Sequence, residues 1–485
     1  MARRFRWRSS EGGTAGGFEG GVLLPDERRR TEDRPIELLP LPTSLRVPLG
    51  GSGGHTLAAC VAPGESVRCG EVIGRAAIEP GAADSAGAGS NAVVSTLAVH
   101  ASADGTVRSV GFCDLPQRAD VPCVEIETAR LRIPHVASAL QATTLEELIQ
   151  HVASAGIVEA DAVGGDGALV ADRLRAAAAR RPGHLIIHAM ESDPCATAEW
   201  RIFVERTEDV LAGSARLGSL MGVSEIVLVA DGTRRRFVAS LVARAAAAGI
   251  RLTAVANRYP QGHPALLMRS VLNREIPCGG CDLDAGALVF GVGSVVAIES
   301  VLRSGMPVTH RLITVTGDAA ARPGNYSVAI GTPIAHVIEH VGLSKALAMV
   351  VVGGPMTGVS IGRIGTVIGH DTGAILLLSA EFAPEHFGVR APGPCTRCGW
   401  CLEDCPMGLD PRALLHAAER RQLERAAAMH VRACIGCGVC SYVCPARLPI
   451  AASIRAIQRE AEHIAPLPAV KGNNTYPAER RSAHG

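Results

Sequence analysis

Lysine is nearly missing from this 485-residue sequence: Lys345 and Lys471 are the only two, so arginine supplies almost all of the 48 basic side chains. Chemistry that needs a lysine is therefore excluded over most of the length. Aromatic residues are scarce at 3%, in a composition biased toward Arg and Ala. Charge of one sign is also absent. The 48 basic and 47 acidic side chains leave a net charge of +1, and no overall field draws the chain to nucleic acid or an anionic membrane. No run reaches the ~18 apolar residues of a spanning helix. The longest candidate, Ala285 to Ile298, is shorter and broken by glycines. Arg3, Arg4, Arg6 and Arg8 make the N-terminus basic, but a polar, glycine-rich run follows where a signal peptide would have an apolar core, so the chain is expected to stay in the cytoplasm.

What is present points to a folded, metal-dependent protein. The length predicts about three or four domains of roughly 100–200 residues, and 47% hydrophobic with 20% charged residues is ordinary globular usage. Eight of the fifteen cysteines fall between Cys395 and Cys444. In a cytosolic setting, where paired structural disulfides are not expected, that density calls for metal.

Residues 1–40 read as an extended arm. From Leu45 to Ile126 short β-type runs alternate with Gly and Pro turns, and Val61 to Ile73 and Val99 to Val107 read as two compact hairpins. This segment resembles the barrel-sandwich fold of biotinyl and lipoyl carriers, but it has no lysine to acylate, so the carrier function fails. Pro80 to Asn91 reads as a Gly, Ala and Ser loop. Between residues 145 and 275, apolar strands (Leu185 to Ile187, Ile226 to Ala230, Leu252 to Val255) alternate with Ala-rich helices such as Arg236 to Ala248, the order of βαβ units in a parallel sheet whose ligands bind at the carboxyl ends of strands. Residues 285–380 read as a small α+β domain around a helix at Ile334 to Val341, and an amphipathic helical stretch from Arg412 to Arg432 joins the halves of the cysteine module.

Cys395, Cys398, Cys401 and Cys405 before Pro406 form C-x2-C-x2-C-x3-C-P, and Cys434, Cys437, Cys440 and Cys444 before Pro445 repeat it. This is the bacterial two-cluster ferredoxin run, in which the fourth cysteine of each run ligates the other cluster. Structural zinc prefers separated cysteine pairs. The crossed rule assigns Cys395, Cys398, Cys401 and Cys444 to cluster one, and Cys434, Cys437, Cys440 and Cys405 to cluster two. Paired clusters move single electrons and do no bond chemistry, so another group must supply or accept them. Cys278 and Cys281 form an additional C-x-x-C; neither a helix N-terminus nor a cation that would activate a thiol is evident beside it, and two inert thiols are expected. Cys60, Cys69, Cys113, Cys123 and Cys195 show no ligand spacing and read as small core residues. His336 and His340 are spaced i and i+4 on a helix, without an evident third ligand.

Taken together, the landmarks resemble RnfC, the C subunit of the Rnf electron transport complex, from about Gly20 to Arg459. Gly20 to Pro25 is similar to that family's GGIHPP opening, and Arg258-Tyr259-Pro260-Gln261-Gly262 to its YPQG block. Arg274 to Pro277, Val315-Thr316-Gly317, Arg322 to Tyr326 and Gly353-Gly354-Pro355-Met356 match further landmarks in order. The resemblance implies a multidomain α+β protein with arm 1–40, barrel-sandwich hybrid 41–135, Rossmann-like α/β domain 136–284, β-grasp-like domain 285–385, helical dicluster ferredoxin module 386–460 and tail 461–485. It also implies two 4Fe-4S clusters, an FMN site related to that of the flavin subunit of respiratory complex I, and NAD(H) as substrate. A peripheral position on the cytoplasmic face of the cell membrane follows, with Rnf membrane subunits and a ferredoxin-type protein as partners in electron transfer coupled to ion translocation.

The flavin loop departs from the family's GGAGFPTxxKL. Gly164, Gly165 and Gly167 are kept and Arg173 replaces the lysine, while Asp166 sets a carboxylate where a phosphate would lie and Ala168 removes an aromatic surface. In the block similar to NGAECEPY, Glu191 and Asp193 keep the acidic pattern while His188 and Cys195 replace Asn and Tyr; after Gly262, His263, Pro264 and Ala265 replace the usual acidic and basic pair. The candidate flavin residues are therefore Gly164, Gly165, Gly167, Arg173 and Glu191. Weakened flavin binding is expected, and a docking or relay subunit without flavin chemistry and a soluble cobalamin-reductase-like enzyme are the competing readings.

Overall fold

The computed structural model describes residues 17–24, 27–51, 56–75, 97–129, 138–159, 168–191, 193–382 and 392–461. The expected glycines 164, 165 and 167, Asp166, the basic residues 3–8, the loop 80–91 and the tail beyond 461 lie outside them.

The arm is built into the fold. A 3-10 turn at Glu27–Arg30 leads to β1 (Ile36–Leu38), which pairs in parallel with a strand some 290 residues later, Ile36 opposite Asn325. The sandwich follows: β2 (Ser44–Pro48), β3 (Ala58–Ala59), β4 (Ser66–Val67), β5 (Val72–Arg75), β6 (Ala98–His100), β7 (Gly105–Leu115) and β8 (Arg118–Thr128), in two sheets ordered β2-β8-β7-β4 and β3-β5-β6. The two expected hairpins are not hairpins. Their arms part at each Gly turn and pair across, β4 with β7 and β5 with β6, so each turn carries the chain from one sheet to the other. A local pattern of apolar runs around a turn cannot distinguish these pairings, because both bury the same faces. The hairpin that does form is β7 and β8, joined through Pro116 and Gln117.

The middle domain is a parallel sheet of β9 (His184–His188), β10 (Glu225–Asp231), β11 (Ile250–Val255) and β12 (Ala287–Gly291), ordered β11-β10-β9-β12. β9, β10 and β12 are largely buried because helices cover both faces, which is why they read as apolar runs, while the edge strand β11 is only partly covered. The boundary expected at residue 284 needs correction: β12 and the helix Val292–Ser304 belong to this sheet and its core. Both flanks of that boundary are apolar and glycine-punctuated, so only the pairing of β12 with β9 reveals the membership.

The next sheet is mixed: β13 (His310–Thr316), β14 (Gly324–Ala329), β15 (Leu347–Val352), β16 (Val359–Ile361) and β17 (Ala374–Ser379) join β1 in the order β1-β14-β13-β17-β15-β16, with the helix Ile334–Val341 on its core. A buried polar cluster locks arm, middle domain and this sheet together: Thr31, Thr197, Thr314 and Asn325 share hydrogen bonds of 2.8–2.9 Å, and the Asn325 amide donates to Thr31 O at 2.8 Å. The cysteine module is helical. Trp400–Glu403 and Val439–Tyr442 each contain the third cysteine of their run, and Pro411–Glu419, Leu423–Ala428 and Ile450–Ala461 pack as the module's core. The helical stretch expected from Arg412 to Arg432 is two helices and a 3-10 turn, with a break where Arg421 takes a positive φ. Among the described residues no helix is long and apolar enough to cross a membrane.

Candidate functional site

The two cysteine runs fold into one module, and their thiols fall into two groups. Cys395, Cys398, Cys401 and Cys444 line a single cavity of about 130 Å³ with Leu415, Leu448 and Ile450. Burial pushes the Cys401 thiol above its ordinary value, and the neighbouring sulfurs of Cys398, Cys444 and Cys395 act in the same direction with Asp410. In the second group Cys405 joins Cys434, Cys437 and Cys440. Burial pushes Cys437 up to about 12 and Cys440 up as well, each with Cys434 and Cys405 as charged neighbours. Keeping such thiols deprotonated needs a positive partner, which is the service an iron-sulfur core provides. The donor chemistry fits: four soft ligands surround one volume in the first group. The turn after Pro406 aims the amides of Met407, Leu409 and Gly408 at the Cys405 sulfur, and the Gly436 amide serves Cys434. Such bonds to ligand sulfurs set cluster potential.

The second group sits against the rest of the molecule through residues that sequence reasoning registered only as family landmarks. The Tyr259 hydroxyl donates to Cys437 O at 2.7 Å, its backbone exchanges 3.0 Å hydrogen bonds with Val22, and the Gly21 amide donates to Asp404 O at 2.8 Å. Tyr259, Cys437 and Val439 are buried together with Val22, Leu24 and Met356 around them. Gly438 has φ +80, and a Cβ there would lie 2.5 Å from Met356 O, so only glycine admits this approach. The GG arm, the YPQG block and the GGPM turn, far apart in sequence, thus form one clasp on the second cysteine group. Their order was visible; their convergence was not.

The two expected flavin residues that are described, Arg173 and Glu191, have partners within the chain. Arg173 Nη1 lies 2.6 Å from Glu159 Oε2 and Nη2 lies 2.5 Å from Asp282 Oδ2, with the guanidinium 5.0 Å from the Phe290 ring centroid. Burial works against its charge, and the two carboxylates more than offset that; burial also pushes Glu159 up. Glu191 Oε1 accepts from the Trp200 amide at 2.9 Å. The amides at the start of the helix Val292–Ser304, where a parallel sheet offers an anion site, are taken by the chain's own carboxylates: Gly291 N–H by Glu159 at 3.1 Å and Gly293 N–H by Glu199 at 2.8 Å. The arm covers the same edge of the sheet. Arg28 donates to Pro194 O at 3.2 Å and to Asn257 Oδ1 at 3.3 Å and pairs with Asp231 at 3.7 Å, and Glu32 pairs with Arg234. Among the described residues, then, Arg173 and Glu191 both have protein partners.

Asp193 is buried against Gly354 and accepts from the Thr357 hydroxyl at 3.3 Å, and burial pushes its carboxyl up to about 7. The altered residues after Gly262 form a helix start: His263 Nδ1 accepts from the Ala265 amide at 3.1 Å, burial holds His263 down to about 4, and Pro264 opens the helix Pro264–Leu272. His336 and His340 do not converge, the first bonding Pro40 O at 2.9 Å and the second packing edge-on to Tyr326. Cys69, Cys113 and Cys123 are buried as core residues, whereas Cys60 is exposed. A larger cleft, about 780 Å³, lies between the sandwich and the helix Leu145–Ser154 and holds none of the expected ligands.

Comparison with known proteins now bears on these two regions. Residues 16–130 match the RnfC barrel sandwich hybrid domain, 152–300 the Nuo51 FMN-binding domain and 388–462 the 4Fe-4S dicluster domain. The C subunit of the ion-translocating oxidoreductase complex of Edwardsiella ictaluri is 30% identical over 463 residues, covering 92% of this chain and 55% of that protein. The chain is a homologue of RnfC. It spans about half the length of that relative and of the Erwinia tasmaniensis one, and 76% of the Rhodobacter capsulatus counterpart, to which it is 29% identical over 428 residues. The family assignment accounts for the order of the landmarks, for the mixed α/β multidomain fold and for a flavin-type domain beside an iron-sulfur module.

Proposed function

We propose that this RnfC homologue is the peripheral redox subunit of an Rnf-type membrane complex, a translocase in which electrons pass between ferredoxin and NAD(H) with coupled ion movement. Its two 4Fe-4S clusters are held by Cys395, Cys398, Cys401 and Cys444, and by Cys434, Cys437, Cys440 and Cys405. The observation that carries the reading is the grouping of eight thiols, four of them around one cavity and the other four mutually close. Bound clusters supply one-electron transfer. The chain's own part is to bury the ligand sulfurs, to aim backbone amides at them, and through Tyr259 to fix the second group against the flavin-type domain. Partners dock on the cytoplasmic face of the membrane through the dicluster module.

The engagement of Arg173 and of the sheet edge favours a second reading for the middle domain, a scaffold that relays and docks without FMN or NADH chemistry of its own. Anaerobically purified chain should contain about eight irons, two cubanes of four, and copurify with Rnf subunits until a salt wash. A single cluster or stoichiometric zinc rejects the cluster assignment; a partner-free, NADH-active soluble protein rejects the complex in favour of a cobalamin-reductase-like enzyme. One tightly bound FMN per chain rejects the scaffold reading.

A further inference from the structure

The C-x-x-C at Cys278 and Cys281 belongs to none of the sites above. Both cysteines are exposed, on a loop where the Gly280 amide donates to Pro277 O at 2.8 Å and Gly279 takes φ +73. The two sulfurs have different surroundings. Arg180 Nη1, from a helix a hundred residues earlier, lies 3.3 Å from Cys281 Sγ, and the Asp284 amide donates to Cys281 O at 3.0 Å. Asp284 turns its carboxylate to the Cys281 amide at 2.8 Å and to Arg180 at 2.7 Å, so the nearest negative charge is itself paired. Arg274 bonds Ala285 O at 3.1 Å, and the Arg432 side chain passes within 3.6 Å of where a Cβ on Gly279 would stand. The cation at the Cys281 sulfur is thus Arg180, and the Asp284 carboxylate bonds both Arg180 and the Cys281 side chain. Hydrogen-bond donors and cations stabilise a thiolate over its thiol, and exposure gives a reactant access to it. Cys281 has the Arg180 guanidinium at its sulfur and is open to a reactant, and among the described residues no cation is placed at Cys278.

We propose that Cys278 and Cys281 form a redox dithiol that closes to a disulfide by exchange with a small-molecule disulfide of the glutathione type, with Cys281 as the attacking sulfur. The Cys281 thiolate attacks one sulfur of RSSR, forming a mixed disulfide and releasing RS⁻. The Cys278 thiolate then attacks the Cys281 sulfur, forming the intramolecular S–S bond and releasing a second RS⁻. The two thiol protons end on the two released thiolates, and two electrons pass from the protein to RSSR. The glycines between the cysteines give the loop the freedom to bring the sulfurs together. The location adds meaning: Asp282, next to Cys281, holds Arg173 and the Val289 amide at 2.7 Å, while Arg432 precedes the cluster ligand Cys434 by two residues. The pair therefore lies between the flavin-type domain and the second cysteine group, where its state can report the cell's thiol poise to both.

The test uses full-length, cluster-loaded chain equilibrated anaerobically in a series of reduced to oxidised glutathione, then alkylated and analysed by peptide mass spectrometry with iron content measured in parallel. The wild-type peptide should lose two hydrogens as the buffer becomes oxidising while iron stays constant. Cys278→Ser should trap a glutathione adduct on Cys281, and Arg180→Gln should slow exchange about tenfold. A pair that stays fully alkylatable at every ratio, zinc released on alkylation, or an unchanged rate in Arg180→Gln would overturn the proposal. Cys281→Ser exchanging as fast as Cys278→Ser would overturn the assignment of the attacking sulfur.

Discussion

The cysteine module and the flavin-type domain carry equally suggestive motifs, yet the structure uses them in opposite ways. In the module, three cysteines set within seven positions of one another are joined by a single crossed cysteine from the other run, the first four around a shared cavity and the second four close to one another. In the middle domain the motif residues turn to one another, Arg173 to Glu159 and Asp282, and helix-start amides to Glu159 and Glu199. The difference lies in what closes each site. Thiols make poor partners for each other, so a cluster of them is left wanting metal, whereas an arginine and two carboxylates satisfy one another inside the fold.

The comparison is broken most decisively by removing the crossed ligands. Cys405→Ala should cost the cluster whose other ligands are Cys434, Cys437 and Cys440, lowering iron from about eight to about four per chain. Cys444→Ala should remove the other one, as resolved by electron paramagnetic resonance. Loss of the same cluster in both variants would refute the grouping.

Next in size is Arg173→Ala. It strands two buried carboxylates and should destabilise the middle domain by about 3–5 kcal/mol in denaturant unfolding. A variant of unchanged stability that loses bound flavin would instead make Arg173 a phosphate ligand and erase the contrast between the two regions.

Asp193 should make stability depend on pH. Its carboxyl is raised to about 7 in the folded state from about 4 in an unfolded chain. The native state thus holds a proton that the unfolded state releases. The stability is fully present below about 4 and is lost as pH rises through about 7, by at most about 4 kcal/mol. Asp193→Asn should flatten unfolding free energy over that window; a variant with the wild-type slope would show that other groups set it.

The smallest effect is expected at the clasp. Tyr259→Phe leaves the ring and removes the hydrogen bond to Cys437 O, a loss of about 1 kcal/mol. It should raise amide exchange in the second cysteine run without changing iron content. Unchanged exchange would mean the clasp holds by apolar packing alone.

Much of this was legible because the signals are local. The C-x2-C-x2-C-x3-C-P runs need only a few turns of chain, the helix Ile334–Val341 lies where its periodicity put it, and β9 to β11 follow from apolar runs between helices. The misreadings share a cause, pairing between distant segments. The sandwich turns resembled hairpins because β4 and β5 find partners in β7 and β6, and the boundary at 284 failed because β12 joins β9 across a hundred residues.

The sequence by itself determined the chemistry on offer: soft ligands in two runs, an arginine at position 173, a flavin-type domain and an additional C-x-x-C. Side-chain type and short spacing are properties of the chain, and they survive any fold. Only the tertiary structure decided how those groups are spent. It put Arg180 beside Cys281, gave Arg173 to two carboxylates, and brought Val22, Tyr259 and Met356 to one cysteine group. Electrostatic and hydrogen-bond partners act over a few ångströms of space, whatever their separation along the chain.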